Sequence, residues 1–444
     1  MEQDDVAMQA VRSLADGLGR RDVLRAAAAL AAAGAIGGQV LKPEPAAAAT
    51  VAGNAEAPAN ATLPVLQPGT GRVHGAYLAS TPETVKWGYL PNRTTRPVLT
   101  VPSGGVVTID TVSHEGIMED QGRDPDTYFG DHGVPRDHVL NDARAIARSS
   151  LVHDFANDGP HVVTGPVSVT GAHPGDVLKV EVLELQMRVP YGVVSSRHGL
   201  GALPGEYPES IVHDPQSAPY LTKTLDNISV FTPLEHQQGA WHGVMPAAGH
   251  TVAFPLAPFM GLMGVATDTS KPMNSVPPNL GGGNLDIKRL GAGSTLYLPV
   301  QVPGALFFAG DPHFVQGDGE VALTALEASL RGTFRLTVIK PGGAAPQIAF
   351  SYPFAETADH WIPFGLSDPN AQLSAHPGTS LDDAMKTAVR NAITFLHQET
   401  GMAKAVAYAY LSAAADFQVS QVVDQTKGVH ALIRKADFGR RHQR

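Results

Sequence analysis

Gly310-Asp311-Pro312-His313-Phe314-Val315-Gln316-Gly317-Asp318-Gly319-Glu320 gathers two aspartates, a histidine and a glutamate between glycines, directly after the apolar Leu306-Phe307-Phe308. Carboxylate and imidazole are the donors of a hydrolytic zinc site or a related divalent centre, in which bound water loses its proton near neutral pH. The same residues also suit a glycine-rich turn whose aspartates cap backbone N–H groups, so residue type alone leaves both readings open. Gly281-Gly282-Gly283-Asn284-Leu285-Asp286 permits close backbone approach or positive φ and then delivers a carboxylate. It is not a phosphate cradle, because no Gly-Lys-Ser/Thr follows. Ser113-His114-Glu115 adds a third candidate, with His114 as the site residue. Among the 18 histidines, His132, His153 and His161 are read as structural.

These residues need a scaffold, and the pattern around them is that of strands. Leu99–Val101 and Val106–Ile109 flank Pro102-Ser103-Gly104-Gly105 and end at His114. Val167–Val169 and Val177–Leu185 flank a Gly/Pro turn in the same way, the apolar run before Gly310 reads as a buried strand, and Leu296–Val302 and Gly332–Val338 complete the set. Between Tyr191 and Pro278, Gly, Pro and His predominate without long periodic runs, which predicts long loops over the sheets. Ser380 with Asp383 resembles a capping box, and Leu381, Ala384, Ala388, Ala392 and Phe395 recur at helical spacing up to Gly401. A second helix is expected from about Met402 to Ala415. The fold class is therefore mainly β, with sandwich- or barrel-like sheets and a C-terminal pair of helices packed alongside, α+β overall.

Composition narrows the chemistry. The chain has no cysteine, which removes thiolate metal sites and a cysteine nucleophile. A net charge of −10 with no basic stripe argues against nucleic acid. No Gly-x-Ser-x-Gly elbow is present, and Ser195-Ser196 lacks glycine-rich surroundings, so a serine nucleophile is the weaker alternative.

Four blocks in the same order resemble the acetamidase/formamidase family: residues 165–178, Gly261-Leu262-Met263-Gly264-Val265-Ala266, residues 282–286 and residues 310–320. Ser412–Phe417 with Val419–Val423 and Gly428-Val429-His430 is similar to the family's closing helix and strand. The resemblance implies a metal-dependent amidohydrolase that cleaves small carboxamides to a carboxylate and ammonia. It further implies Asp286, Asp311 and His313 as ligands of a divalent metal, zinc before calcium, and Glu320 as a ligand or as the base. Asp318 is grouped with the ligands, although it can equally cap its own turn, and His114 joins Glu320 as a catalytic candidate. The stretch from Glu206 to Gly249 is longer and richer in His and Pro than in the simplest members, which leaves the amide open. A carbamate or ureide hydrolase and a non-catalytic metal-binding protein are the competing readings.

Residues 1–49 read as a twin-arginine signal: Gly19-Arg20-Arg21 precedes a weakly apolar Ala-rich run, and Ala46–Ala49 offers a small-residue cleavage site. The run is too short for a bilayer anchor, so the expected partner is the twin-arginine translocation machinery and the expected destination periplasmic or extracellular. A flexible connector over 50–73, a catalytic domain over 74–434 and a tail over 435–444 complete the expected organisation. The protein is expected to be a homo-oligomer and not an integral membrane protein.

Overall fold

The computed structural model describes residues 62–197, 199–208, 215–222, 227–375 and 378–442. The expected signal, 1–49, lies outside them. What is described falls within one compact unit, Ala49–Arg444.

Two large sheets carry the fold. The first has nine strands in the order Ala76–Leu78, Gly105–Asp110, Leu330–Ile339, Val177–Met187, Thr295–Pro299, Phe354–Glu356, His360–Leu366, Gly428–Arg434 and Asp416–Gln421. The second runs from His250–Pro255 through Ala240–Ala247, Ile228–Gln237, Tyr191–Ser196, Leu326–Glu327, Phe307–Val315 and Phe259–Val265 to Gly282–Asn284. Val162–Val169 joins the second sheet on Phe307–Val315 and pairs with Val85–Trp87 and Leu99–Val101. The sheets share one core, in which Phe307 of the second meets Phe334 of the first edge to face at 5.5 Å.

The two expected strand–turn–strand units are present but are not hairpins. Leu99–Val101 pairs in parallel with Val162–Val169, whereas Gly105–Asp110 pairs with Ala76–Leu78 and Leu330–Ile339. The Pro102–Gly104 turn therefore carries the chain from one sheet to the other, with Gly104 at φ +81. The Val169–Val177 link does the same.

The loop expectation for 191–278 is overturned over 191–196 and 228–265. Four strands, Tyr191–Ser196, Ile228–Gln237, Ala240–Ala247 and His250–Pro255, form an antiparallel arm there, followed by the buried strand Phe259–Val265. Gln238-Gly239 turns the first hairpin with φ +50 and +81, the doubly positive geometry that suits twisted strands. The outermost strand, His250–Pro255, is exposed on both faces, so no alternation marks it in the sequence.

Residues 62–73 are not a loose connector. Two buried guanidiniums hold them: Arg188 Nε donates to the Leu66 carbonyl at 3.0 Å, and Arg331 donates to the carbonyls of Gln67 and Thr70. Asp110 and Asp142 neutralise that pair, with Arg331 Nε 2.5 Å from Asp110 and Arg188 Nη1 2.8 Å from Asp142.

The helices are α1 (Pro125–Asp131), α2 (Asn141–Arg148), α3 (Leu381–Thr400) and α4 (Lys404–Ala414). The last two are the expected pair. The Ser380 side chain caps α3 at the Asp382 N–H, and Gly401 ends it at φ +71. Its buried face is Ala384, Ala388, Ala392, Phe395 and Leu396, while Leu381 is exposed. Small residues let it sit on His360–Leu366 so closely that a Cβ on Gly365 would lie 2.1 Å from the Ala388 nitrogen. No helix among the described residues is long and apolar enough to cross a membrane.

Candidate active site

Asp311 and His313 stand within the strand Phe307–Val315 rather than in a turn beyond it. Two residues apart, they share a face of the sheet. Their neighbour Phe259–Val265 is buried throughout and brings Gly261 beneath them. A Cβ there would lie 2.4 Å from Asp286 Oδ1, 2.5 Å from Asp311 Oδ2 and 2.7 Å from His313 Cε1. Only glycine leaves room for these three side chains to converge.

Asp286 reaches the same point through the glycine run. Gly282 and Gly283 adopt φ +92 and +84 while pairing with Gly264 and Met263, and the N–H groups of Leu285 and Asp286 both donate to the Gly261 carbonyl. The close backbone approach expected of this run is present. Asp286, Asp311 and Glu320 all lie in the left-handed region, at φ +49, +49 and +48. A non-glycine residue there stores roughly 1–3 kcal/mol, and such strain concentrates at functional sites.

His313 is the hub. Its Nε2 lies 3.0 Å from Asp311 Oδ2, 2.9 Å from Glu327 Oε1 and 3.9 Å from Glu320 Oε1. Its Nδ1 faces Gln316 Oε1 at 3.1 Å, while the Gln316 amide donates to the carbonyls of Asp286 and Ser420. Because the Gln316 nitrogen is committed to two carbonyls, its oxygen must accept from Nδ1–H, which turns the Nε2 lone pair toward the carboxylates in the neutral ring. His161 is arranged alike, with Nδ1 2.9 Å from Ser275 Oγ and Nε2 3.6 Å from Asp311 Oδ1. His114 closes the far side, its Nε2 3.2 Å from Glu115 Oε1 and its Nδ1 4.0 Å from Glu327 Oε2. Glu115 is held by Ser195 Oγ at 2.7 Å and by Arg197 at 3.6 Å. Ser195 is thereby a hydrogen-bond donor to this carboxylate.

The cluster thus unites five of the six residues singled out in the sequence: His114, Asp286, Asp311, His313 and Glu320. Asp318 stands apart, exposed and ion-paired with Lys288 at 2.9 Å. His153 is structural as expected, stacked on Trp87 at 4.5 Å, and so is His132, stacked on Phe231 at 4.7 Å. His161, read as structural, belongs to the site. Glu327 and Asp424 were not legible as members. Glu327 is the cross-strand partner of His313, a pairing between segments that no local motif announces. Asp424 follows the strand Asp416–Gln421, whose end is bonded to Gly319.

All these groups are buried, and their electrostatics are those of unmet negative charge. Burial, together with the charges of Glu320 and Asp424, holds the Asp286 carboxyl well above the usual range, and burial with Asp424 and Asp311 does the same to Glu320. Glu327 and Asp424 are each pushed up to about 7 by burial and by Asp311. Burial would raise Asp311 as well, but His313 and His161 hold it below the ordinary range. The His313 ring, which burial alone would push down, is held well above its ordinary value by Asp311 and Glu327. His161 falls to about 4 through burial.

A divalent metal fits these residues. His114 Nδ1, Asp286 Oδ1 and Oδ2, Asp311 Oδ1, His313 Nε2 and Glu327 Oε2 are buried without a hydrogen-bond partner. His114, Asp311 and Glu327 converge as one group, and Asp286, His313 and Glu320 as another, each within 4.8 Å. A buried polar atom left unpaired costs about 1–3 kcal/mol, more for a charged one, and a cation removes that cost for several at once. Mixed imidazole and carboxylate donors suit zinc better than calcium.

Residues 267–433 match the model of the Acetamidase/Formamidase family. That stretch carries Asp286, Asp311, His313, Glu320, Glu327 and Asp424, so the family's segment and the buried carboxylates coincide. An acetamidase of Mycolicibacterium smegmatis is 29% identical over 201 residues, 36% of this chain and 49% of that protein. A formamidase of Methylophilus methylotrophus is 28% identical over 213 residues, 41% of this chain and 52% of that protein. The chain spans about half the length of the curated relatives it matches. The crystal structure of an acetamidase from Bacillus halodurans superimposes with a TM-score of 0.59 at 25% identity, covering 82% of this chain and 98% of that one. The family resemblance and the β-rich fold with its C-terminal helix pair are both borne out.

Proposed function

We propose that the protein is an amidohydrolase that cleaves small linear carboxamides to a carboxylate and ammonia, using the buried carboxylate and histidine cluster with a bound divalent metal. The observation that carries this reading is the convergence of Asp286, Asp311, His313 and Glu327, with unpartnered donor atoms, inside the segment that matches a family named for amide hydrolysis, joined by His114 from outside it. A metal held there, zinc by donor type, would supply Lewis acidity toward the amide oxygen. Gln316 and Ser275 fix the rings of His313 and His161, so those donors need no reorganisation. Glu320, at the edge of the cluster, takes the proton of the attacking water and passes it to the amide nitrogen, which leaves as ammonia. The raised proton affinity of its carboxyl suits a group that must hold that proton between the two transfers. A small cavity lined by Ser113, Phe129, Tyr191 and Val193 meets the cluster at Glu115 and Glu327 and suits a short acyl group.

Ammonia release from formamide, acetamide and a carbamate, measured with and without chelator, tests the reading. Release from the amides that is lost with chelator and restored by zinc is the expected result; release from the carbamate alone would move the substrate to the related C–N bond, and no release would favour a binding protein.

The reading extends to export. The twin-arginine pair Arg20-Arg21 supports translocation to the periplasm or beyond, and replacing both by lysine should leave the precursor in the cytoplasm.

A further inference from the structure

We infer that the cluster is built for two divalent cations bridged by the carboxylates of Asp311 and Glu327, an inference that rests on the metal-dependent reading above. The two carboxylates span the cluster in the same way. Asp311 turns Oδ2 toward His313 Nε2, at 3.0 Å, and Oδ1 toward His161 Nε2, at 3.6 Å. Glu327 turns Oε1 toward the same His313 nitrogen, at 2.9 Å, and Oε2 toward His114 Nδ1, at 4.0 Å. Each therefore shows one oxygen to a His313 side and the other to a His114/His161 side.

The unpartnered atoms divide along that line. On one side stand His114 Nδ1, Asp311 Oδ1 and Glu327 Oε2, and on the other His313 Nε2 with both oxygens of Asp286. Each set pairs imidazole with carboxylate, and His161 joins the first as Asp286 belongs to the second. A catalytic zinc takes about three protein ligands. Three or more donors are present on each side, and a single cation would leave one set of buried atoms unpaired. The charge balance agrees: the carboxylates of Asp286, Asp311, Glu320, Glu327 and Asp424 share one buried space with three imidazoles, more negative charge than a single divalent cation offsets. Left-handed backbone at Asp311 allows its strand to present both oxygens sideways while the ladder continues on either flank.

The test is metal stoichiometry on the full-length purified chain, stripped and reloaded with zinc, by elemental analysis. Two equivalents per chain are expected. His114→Gln, which removes a donor from one side only, should fall to one, as should Asp286→Asn on the other side, with far-ultraviolet circular dichroism showing that both remain folded. Asp311→Asn should retain less than one. Reloading with manganese adds a readout independent of turnover: spin coupling between neighbouring ions should broaden the wild-type paramagnetic resonance spectrum, and His114→Gln should return the signal of isolated ions. A wild-type protein that releases ammonia at full rate with one equivalent bound would overturn the bridged centre and leave the amidase reading standing. Two equivalents without ammonia release would do the reverse.

Discussion

The strands under the candidate active site and the layer under helix α3 are both buried and are filled in opposite ways. Phe259–Val265 and Phe307–Val315 surround acidic groups in left-handed backbone. The α3 layer is Ala384, Ala388, Ala392, Phe395 and Leu396 against two strands, with an ordinary helix cap at each end. One region spends stability on reactive groups; the other is a conventional apolar interface. Residues that weaken the second should therefore leave turnover per folded molecule intact, whereas residues that disable the first should leave the fold intact or improve it.

Glu320→Gln should show the largest effect. If Glu320 shuttles the proton, kcat falls by roughly 10²- to 10⁴-fold with metal content unchanged. Lost metal together with lost activity, partly restored by excess zinc, would instead make it a ligand. Phe395→Ala, on the apolar side, should cost roughly 3–5 kcal/mol in urea unfolding, with unchanged kcat in the folded fraction. A fall in kcat there would break the separation between the two regions.

Asp286→Asn sharpens the contrast, because asparagine tolerates the same left-handed backbone and removes a carboxyl that burial and its neighbours oppose. In the metal-free protein at pH 7 it should raise stability by on the order of 1 kcal/mol, read as a higher melting temperature. A lower one would show that the carboxylates support the fold.

His430 gives a smaller, pH-dependent effect. Burial, reinforced by Arg289 and Lys288, holds this ring down to about 4, so it is neutral in the fold while the unfolded chain binds a proton near 6.5. The unfolded state then binds more protons between those values, and stability falls as pH drops from about 6.5 towards 4, by roughly 2–3 kcal/mol for this residue. His161, also at about 4, adds a like term in the metal-free protein. Urea unfolding at pH 7 and 4.5 should show His430→Gln losing one share of that difference; an unchanged slope would place its titration elsewhere. Smallest of all, Asp318→Asn breaks an exposed pair with Lys288 and should cost at most about 0.5 kcal/mol with metal retained.

How much of this was legible follows from range. Asp286, Asp311, His313 and Glu320 announce themselves because each sits among glycines that the local backbone requires. His114 could be read from a strand end. Glu327 could not, since its role comes from a two-residue strand pairing with His313 across the sheet. Asp424 joins through a segment more than a hundred positions away from Glu320 in sequence, and His161 looks like any other buried imidazole until Asp311 stands beside it. The arm from Ile228 to Pro255 failed for a different reason: both faces are wet along its outermost strand, His250–Pro255, and burial along the next two strands does not alternate throughout, so the period of two that marks a half-buried strand is missing.

The guanidinium clamp on Leu66, Gln67 and Thr70 sets a limit on how far the chain can be shortened from its N-terminal side. Arg188 is fully buried, and Arg331 lies equally deep, with donors aimed at those three carbonyls. Proteolytic trimming past residue 70 would take those three acceptors from buried guanidiniums that then keep only Asp110, Asp142 and the Thr111 carbonyl, at a cost of about 1–3 kcal/mol for each donor left unpaired. Any protease that shortens this chain and leaves it active must cut upstream of Leu63, whose side chain already packs on the core. The interior thereby sets how much of the N-terminal side the fold can lose.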